Sequence, residues 1–235
     1  MSELLNFQRS LELTGQIINL CAALMLLIGF AMLSQRRILT LINLFMMQGL
    51  MLFLSTLIVA ITTYQPHLLW SAALTLLLKV LLLPWILHRL IRKLEVKWDV
   101  ETMINIPTIM LIGIVLVIIA FNVAAPISHL SGTILRATIG IALACVLLSF
   151  LMMITRSKAV PQVIAFLSME NALFFAATSA SYGMPMVVEL GVALDVMVGM
   201  VVLGVFFFQI REQFDSLDIR QMEKMRGKSG VKREP

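Results

Sequence analysis

Runs of about 20 apolar residues recur along this chain, and each is long enough to carry a helix across the ~30 Å hydrocarbon core of a bilayer. Seven such runs can be read, at residues 13–33, 38–63, 68–90, 103–122, 133–154, 161–181 and 186–209. Within lipid the backbone must satisfy its own polar groups, so a span is either a helix or a strand of a closed barrel. Barrel strands alternate in short segments, and these runs do not. Composition agrees: 60% of the residues are hydrophobic and 13% charged, where a soluble domain is roughly half apolar and a quarter charged. The expected fold is all-α, a polytopic membrane protein with about seven transmembrane helices.

The first run does not read as a cleaved leader. Glu3 and Glu12 outweigh Arg9 ahead of it, and no small-x-small cleavage site follows. Lys and Arg give the orientation. With the N-terminus outside, the inner side collects Arg36, Arg37, Arg89, Arg92, Lys93, Lys97, Arg156, Lys158 and seven residues from Arg211 to Arg233. The outer side keeps Arg9 and Arg136. That asymmetry predicts an N-out, C-in topology. It also accounts for the net charge of +5 without nucleic acid as a partner. Cys21 and Cys145 stand singly inside apolar runs, so no disulfide framework, haem motif or metal cluster is expected from them.

Short connections carrying turn chemistry, "SQRRI", "YQPH", "APISHLSG" and "YGMP", separate the runs. The expected organisation is a three-helix unit over 1–97, a linking fourth helix over 98–130, a second three-helix unit over 131–210 and a polar tail over 211–235. The two units would share one orientation. In a repeat register, "MQGLMLF" (Met47–Phe53) aligns with "MENALFF" (Met169–Phe175). Gln48 then matches Glu170, and Lys79 lies opposite Asp195.

Three ionisable residues fall near the centres of their runs: Lys79, Glu170 and Asp195. A charge at the bilayer centre costs about 2.5–3.5 kcal/mol on insertion scales. Such groups must face the protein interior or a hydrated cavity, pair with one another, or be neutral. Burial disfavours the charged form of any ionisable group, which brings groups at this depth toward proton exchange near neutral pH. Ser71, Thr75 and Lys79 recur every fourth residue, a polar stripe on one helix face. Pro84 cannot donate to the carbonyl of Val80, so a free acceptor and a kink are expected beside Lys79. Gly191 and Gly199 flank Asp195 on one face, where small residues let a neighbouring helix approach.

Two readings of this set stay open. Either Lys79 is one half of a buried ion pair, with Glu170 or Asp195, that only fixes packing; or the three form a proton path. Glu189, Gln48, Asn171, Thr75 and Ser71 are secondary candidates for such a path. Asn43 and Gln48 also suit interhelical hydrogen bonds. His67 and His129 fall in outer connections, and His88 lies beside Arg89 and Arg92. The 17 methionines show no clustering of the kind a copper site needs.

The segment "LLWSAALTLLLKVLLLPWIL" (Leu68–Leu87) resembles the third helix of the hydrogenase-4 component E (HyfE-like) family. Residues 134–209 are similar to the small three-helix subunit of respiratory complex I, NuoK, and to its cation-antiporter counterpart MrpC. Glu170 in "SMENALFF" matches that subunit's first embedded acid. Asp195 in "GVALDVMVGMVVLG" matches its second, with aspartate where the respiratory subunit has glutamate. The resemblance implies a membrane-arm subunit of a complex-I-like complex, of hydrogenase or formate hydrogenlyase type, in a prokaryotic inner membrane. Its partners would be antiporter-like membrane subunits and a soluble redox arm. A nickel–iron centre and iron–sulfur clusters would sit in those partners, with no cofactor and no catalytic site on this chain. A stand-alone secondary transporter and a purely structural membrane subunit are the alternatives.

Overall fold

The computed structural model describes residues 2–63, 66–93, 102, 104–127, 133–181, 197 and 204. All its named elements are helical: α1 (Ser2–Ser34), α2 (Ile38–Thr63), α3 (Pro66–Thr75), a π-helical segment (Leu76–Leu82), α4 (Leu83–Lys93), α5 (Ile106–Ile127), α6 (Thr133–Thr155) and α7 (Ala159–Ser181). Six stretches are long and apolar enough to cross a membrane: Leu13–Ser34, Ile38–Thr62, Leu68–Arg89, Ile106–Pro126, Thr138–Thr155 and Val160–Thr178. The seventh expected span, 186–209, lies outside the described residues apart from Met197 and Gly204, both helical. These two belong to a second compact unit, residues 195–235.

The distribution of side chains suits a lipid solvent. On α5 the outward residues are Leu111, Ile114, Val115 and Ile118, while Gln48, Ser71, Thr75, Lys79 and Glu170 are buried. Apolar residues outside and polar residues inside reverse the order of a water-soluble bundle. Helix α1 packs on α2, α5 and α6; α2 packs on the α3–π–α4 span and on α7; α6 joins α5 to α7. Ala22 and Met25 of α1, Leu52 of α2, Ala142 and Cys145 of α6, and Ala172, Phe174 and Phe175 of α7 form the central core. Burial is lowest for α5, at 22% of its span, and highest for α7, at 61%. Helix α7 is therefore the central element and α5 a peripheral one.

Small residues set the helix spacing. A Cβ on Gly113 of α5 would lie 3.2–3.3 Å from Leu148, Leu33 and Phe30, so α5 approaches α1 and α6 through a position that tolerates little more than hydrogen.

The third span departs from a regular α-helix just ahead of Pro84, where the sequence predicts a free acceptor at Val80 and a kink. The helix widens over Leu76–Leu82, and the amide of Leu83 donates to Leu78 O, five residues back. The proline ring would collide with the carbonyl of Val80 in a regular α-helix. The wider turn takes up an extra residue just ahead of it.

Arg156 also departs from expectation. Its place in the sequence reads as a solvated basic residue of an inner loop, yet it is 1% exposed. Its Nη2 donates to Met32 O and Leu33 O, both at 3.0 Å. These are carbonyls of the last turn of α1, which has no intrahelical donors for them. The cation also faces the negative end of that helix dipole. The Arg156 carbonyl accepts from Gln162 Nε2 at 2.8 Å, and its backbone bridges to Thr102, just ahead of α5. One residue thus ties together the ends of α1, α5, α6 and α7. Burial pushes the guanidinium down to about 10, so it remains a cation at neutral pH.

Two stability outcomes follow. Arg156→Ala takes the guanidinium from Leu33 O and leaves Met32 O with only its 3.3 Å bond from Gln35 N; it should destabilise the detergent-solubilised protein by about 2–3 kcal/mol, the range for hydrogen bonds to a charged group. Arg156→Lys should recover part of that loss, measured by thermal denaturation. Gly113→Leu overpacks the α1–α5–α6 contact and should cost about 1–3 kcal/mol by the same assay. Ile114→Leu, at the outward-facing position beside it, should be nearly neutral.

Candidate functional site at the bundle centre

Lys79 and Glu170 meet at the middle of the bundle. Lys79 Nζ donates to Glu170 Oε1 at 2.9 Å, with the two side chains 2% and 4% exposed. Glu170 lies eleven residues from either end of α7 (Ala159–Ser181). Lys79 lies eleven residues from Leu68 and ten from Arg89, the limits of its own span. Both charges therefore occupy the depth at which neither can reach water by extending its side chain. Exposed tryptophans bracket the lysine: Trp70 is 80% and Trp85 57% exposed, and the Arg89 guanidinium stands over the Trp85 ring, 5.3 Å from its centroid. Aromatic rings with cations beside them suit the two membrane–water interfaces.

Three local features hold the lysine in place. The π segment carries it, and π turns re-aim side chains relative to a regular helix. Gly49 of α2 faces the lysine backbone: a Cβ there would lie in ordinary van der Waals contact, 3.6 Å from both Lys79 O and Lys79 Cβ. Phe174, one turn beyond Glu170 on α7, sets its ring 5.4 Å from Lys79 Nζ, a cation–π contact in the buried interior. The polar stripe above the lysine points inward throughout: Ser71 is 3%, Thr75 1% and Lys79 1% exposed. Thr75 Oγ1 donates to Ser71 O at 2.9 Å, so that hydroxyl is occupied by its own helix.

The partner left open between Glu170 and Asp195 is Glu170. Asp195 and Glu189 lie outside the described residues. Gln48 and Asn171 are both 0% exposed, in the α2 and α7 positions next to Gly49 and Glu170. Neither amide hydrogen-bonds to another described residue. His88 is half-buried at the middle of α4, nine residues along the chain from Lys79. Among the described residues, His, Cys, Asp and Glu form no group of three that could hold a metal.

Other members of the polar interior escaped the sequence reading. Ser149 of α6 and Ser168 of α7 share a hydrogen bond at 2.8 Å, and Thr138 of α6 donates to Asn19 Oδ1 of α1 at 3.0 Å. Serines and threonines are frequent in membrane helices. Nothing local distinguishes those that bond across helices from those that bond back to their own carbonyls, as Thr56, Thr155 and Thr178 do. The π segment had a signal, Pro84 five residues after Lys79, but a proline signals a break in the ladder without saying which form it takes.

No protein-family model matches the chain, and no solved structure matches it. Among curated proteins, the uncharacterized protein Rv0085 of Mycobacterium tuberculosis is 30% identical over 152 residues, covering 64% of this chain and 69% of the relative. Hydrogenase-4 component E of Escherichia coli K12 is 23% identical over 160 residues, covering 68% of this chain and 74% of the relative. The component of that name in Shigella flexneri matches equally. With its membrane-spanning helices and a buried ion pair between two of them, the chain belongs to the family of Rv0085 and is a distant relative of hydrogenase-4 component E.

Proposed function

We propose that this protein is a non-catalytic membrane-arm subunit of a complex-I-like, hydrogenase-linked complex, in which Lys79, Glu170 and Asp195 take part in proton translocation or its coupling to redox chemistry. The observation that carries this reading is the Lys79–Glu170 pair, fully buried at the midpoint of two spans. The relationship to a hydrogenase-4 component supports a place in a hydrogenase assembly. Antiporter-like membrane subunits and a soluble arm with nickel–iron and iron–sulfur centres are the proposed partners. Orientation follows the basic residues: N-terminus outside, C-terminus cytoplasmic, in a prokaryotic inner membrane. Residues 134–209 would then be the counterpart of the NuoK and MrpC subunits, with Glu170 and Asp195 as successive embedded acids along the chain.

The pair can act as a two-state element. A proton arriving on Glu170 neutralises the carboxylate and removes the Coulomb attraction that holds the ammonium. Lys79, no longer held by that counter-charge in low dielectric, has reason to reorient toward another acid. Loss of the proton from Glu170 re-forms the 2.9 Å contact. Each cycle moves one proton on and off the carboxylate, and the position of Lys79 reports which state is occupied. Any redox-driven shift in a neighbouring subunit that favours one state would drive the other half of the cycle.

Buried pairs are also compatible with packing alone, and variants separate the two readings. Lys79→Met by itself removes the counter-charge 2.9 Å from the Glu170 carboxylate, so assembly should suffer by about 3–5 kcal/mol. Lys79→Met combined with Glu170→Gln removes both charges and should restore a stable, assembled protein. In that double variant, and in Asp195→Asn, proton translocation by the intact complex in inverted membrane vesicles should fall by about tenfold or more, the loss of ~1.4 kcal/mol or greater at a rate-determining step. Normal pumping by the assembled double variant would reduce the pair to a packing device. Purification in mild detergent should bring down antiporter-like subunits and a redox module; recovery of the chain alone, with substrate-dependent flux in liposomes, would make it a transporter instead.

A further inference from the structure

Gln48 and Asn171 are fully buried, and among the described residues all four of their amide nitrogen and oxygen atoms lack a hydrogen-bond partner. Buried amides in this condition are rare, because an unpaired polar group in low dielectric is costly to keep. A third group shares the condition: Ser55 is 1% exposed and its Oγ is also unpaired. Three such groups on facing helices call for a common cause.

Helical register places them together. Gln48, Leu52 and Ser55 recur at four and three residues on α2, one buried face. Asn171, Phe175 and Thr178 recur at the same spacing on α7, also one buried face. Leu52 and Phe175 belong to the same core cluster, so the two faces meet. Gln48 adjoins Gly49, which lies against the Lys79 backbone, and Asn171 adjoins Glu170. The amides therefore stand at the level of the ion pair.

The chemistry of the missing partner can be read from which atoms are unpaired. A metal cation would satisfy the two amide oxygens and leave both NH2 groups without acceptors. An anion would do the reverse, beside a carboxylate that repels it. Water donates and accepts, and it is small enough for a packed helix interface. We infer that the α2–α7 interface holds ordered water, bound by the amides of Gln48 and Asn171 beside the Lys79–Glu170 pair and continued along α2 by Ser55. Ser55 lies seven residues from Gln48, roughly 10 Å along the helix, so the hydrated strip leads from the pair toward the α2–α3 end of the bundle. As a proton supply for Glu170 this strip rests on the function proposed above; its hydration does not.

Hydroxyl-radical footprinting of the full-length protein in lipid nanodiscs, in oxygen-18 water, tests the site directly. Radicals formed on bound water label the side chains beside it, however deeply those are buried. Leu52, between Gln48 and Ser55, should take up label about tenfold faster than Leu68, a leucine of equal burial at 0% exposure in a separate cluster. The difference should vanish in the folded Gln48→Leu/Asn171→Leu variant. Equal, minimal labelling of Leu52 and Leu68 in the wild type would overturn the inference, and that comparison needs no variant to fold. Persistence of the Leu52 label in the folded double variant would overturn the assignment of water to these amides. Labelled Leu52 in a protein whose Lys79→Met/Glu170→Gln variant pumps normally would keep the water and lose the translocation reading. Silent Leu52 with pumping that still depends on the pair would do the opposite.

Discussion

An ammonium at the centre of a bilayer has no stable place except against a fixed counter-charge, and the arrangement of this bundle follows from that. Lys79 and its partner lie 91 residues apart in the chain. Meeting Glu170 requires the third span to dock beside α7, with α2 between as the common neighbour. The carboxylate in turn requires α7 to be interior, and α7 is the most buried of the spans. Such a pair contributes little net stability, because desolvating both ions offsets most of their attraction. What it contributes is specificity: it favours the register of these apolar helices that brings the two charges together.

The helix that carries the lysine is irregular where the charge sits. Pro84 breaks the regular ladder, the π segment over Leu76–Leu82 absorbs the break, and Gly49 on the neighbouring helix faces the lysine backbone. Each feature weakens a helix when taken singly. Together they fix the direction and depth of one side chain in a medium where a misdirected ammonium would face lipid.

A second cation organises one end of the molecule by different means. Arg156 meets no described carboxylate; it holds the terminal carbonyls of α1 and anchors the turn between α6 and α7. Dipoles at a helix end attract a cation without the desolvation of a second ion. The two charges divide the work accordingly. Arg156 is matched by a backbone whose protonation never changes, while Lys79 is matched by a group that can gain or lose a proton.

Much of this was legible in the chain itself. The length and polarity of the runs determined that the protein is helical and spans a membrane, since lipid offers the backbone no other partners. The same runs placed Lys79 and Glu170 at mid-depth, and the four-residue spacing put Ser71, Thr75 and Lys79 on one face. Tertiary structure decided what spacing within a single helix cannot carry. It selected Glu170 as the partner of Lys79, because that choice depends on which helices become neighbours. It gave the break ahead of Pro84 the form of a π segment, because a proline removes one hydrogen bond without saying how its neighbours recover. It drew Arg156 inward from an apparent surface loop, because only the folded bundle brings the open carbonyls of α1 within its reach.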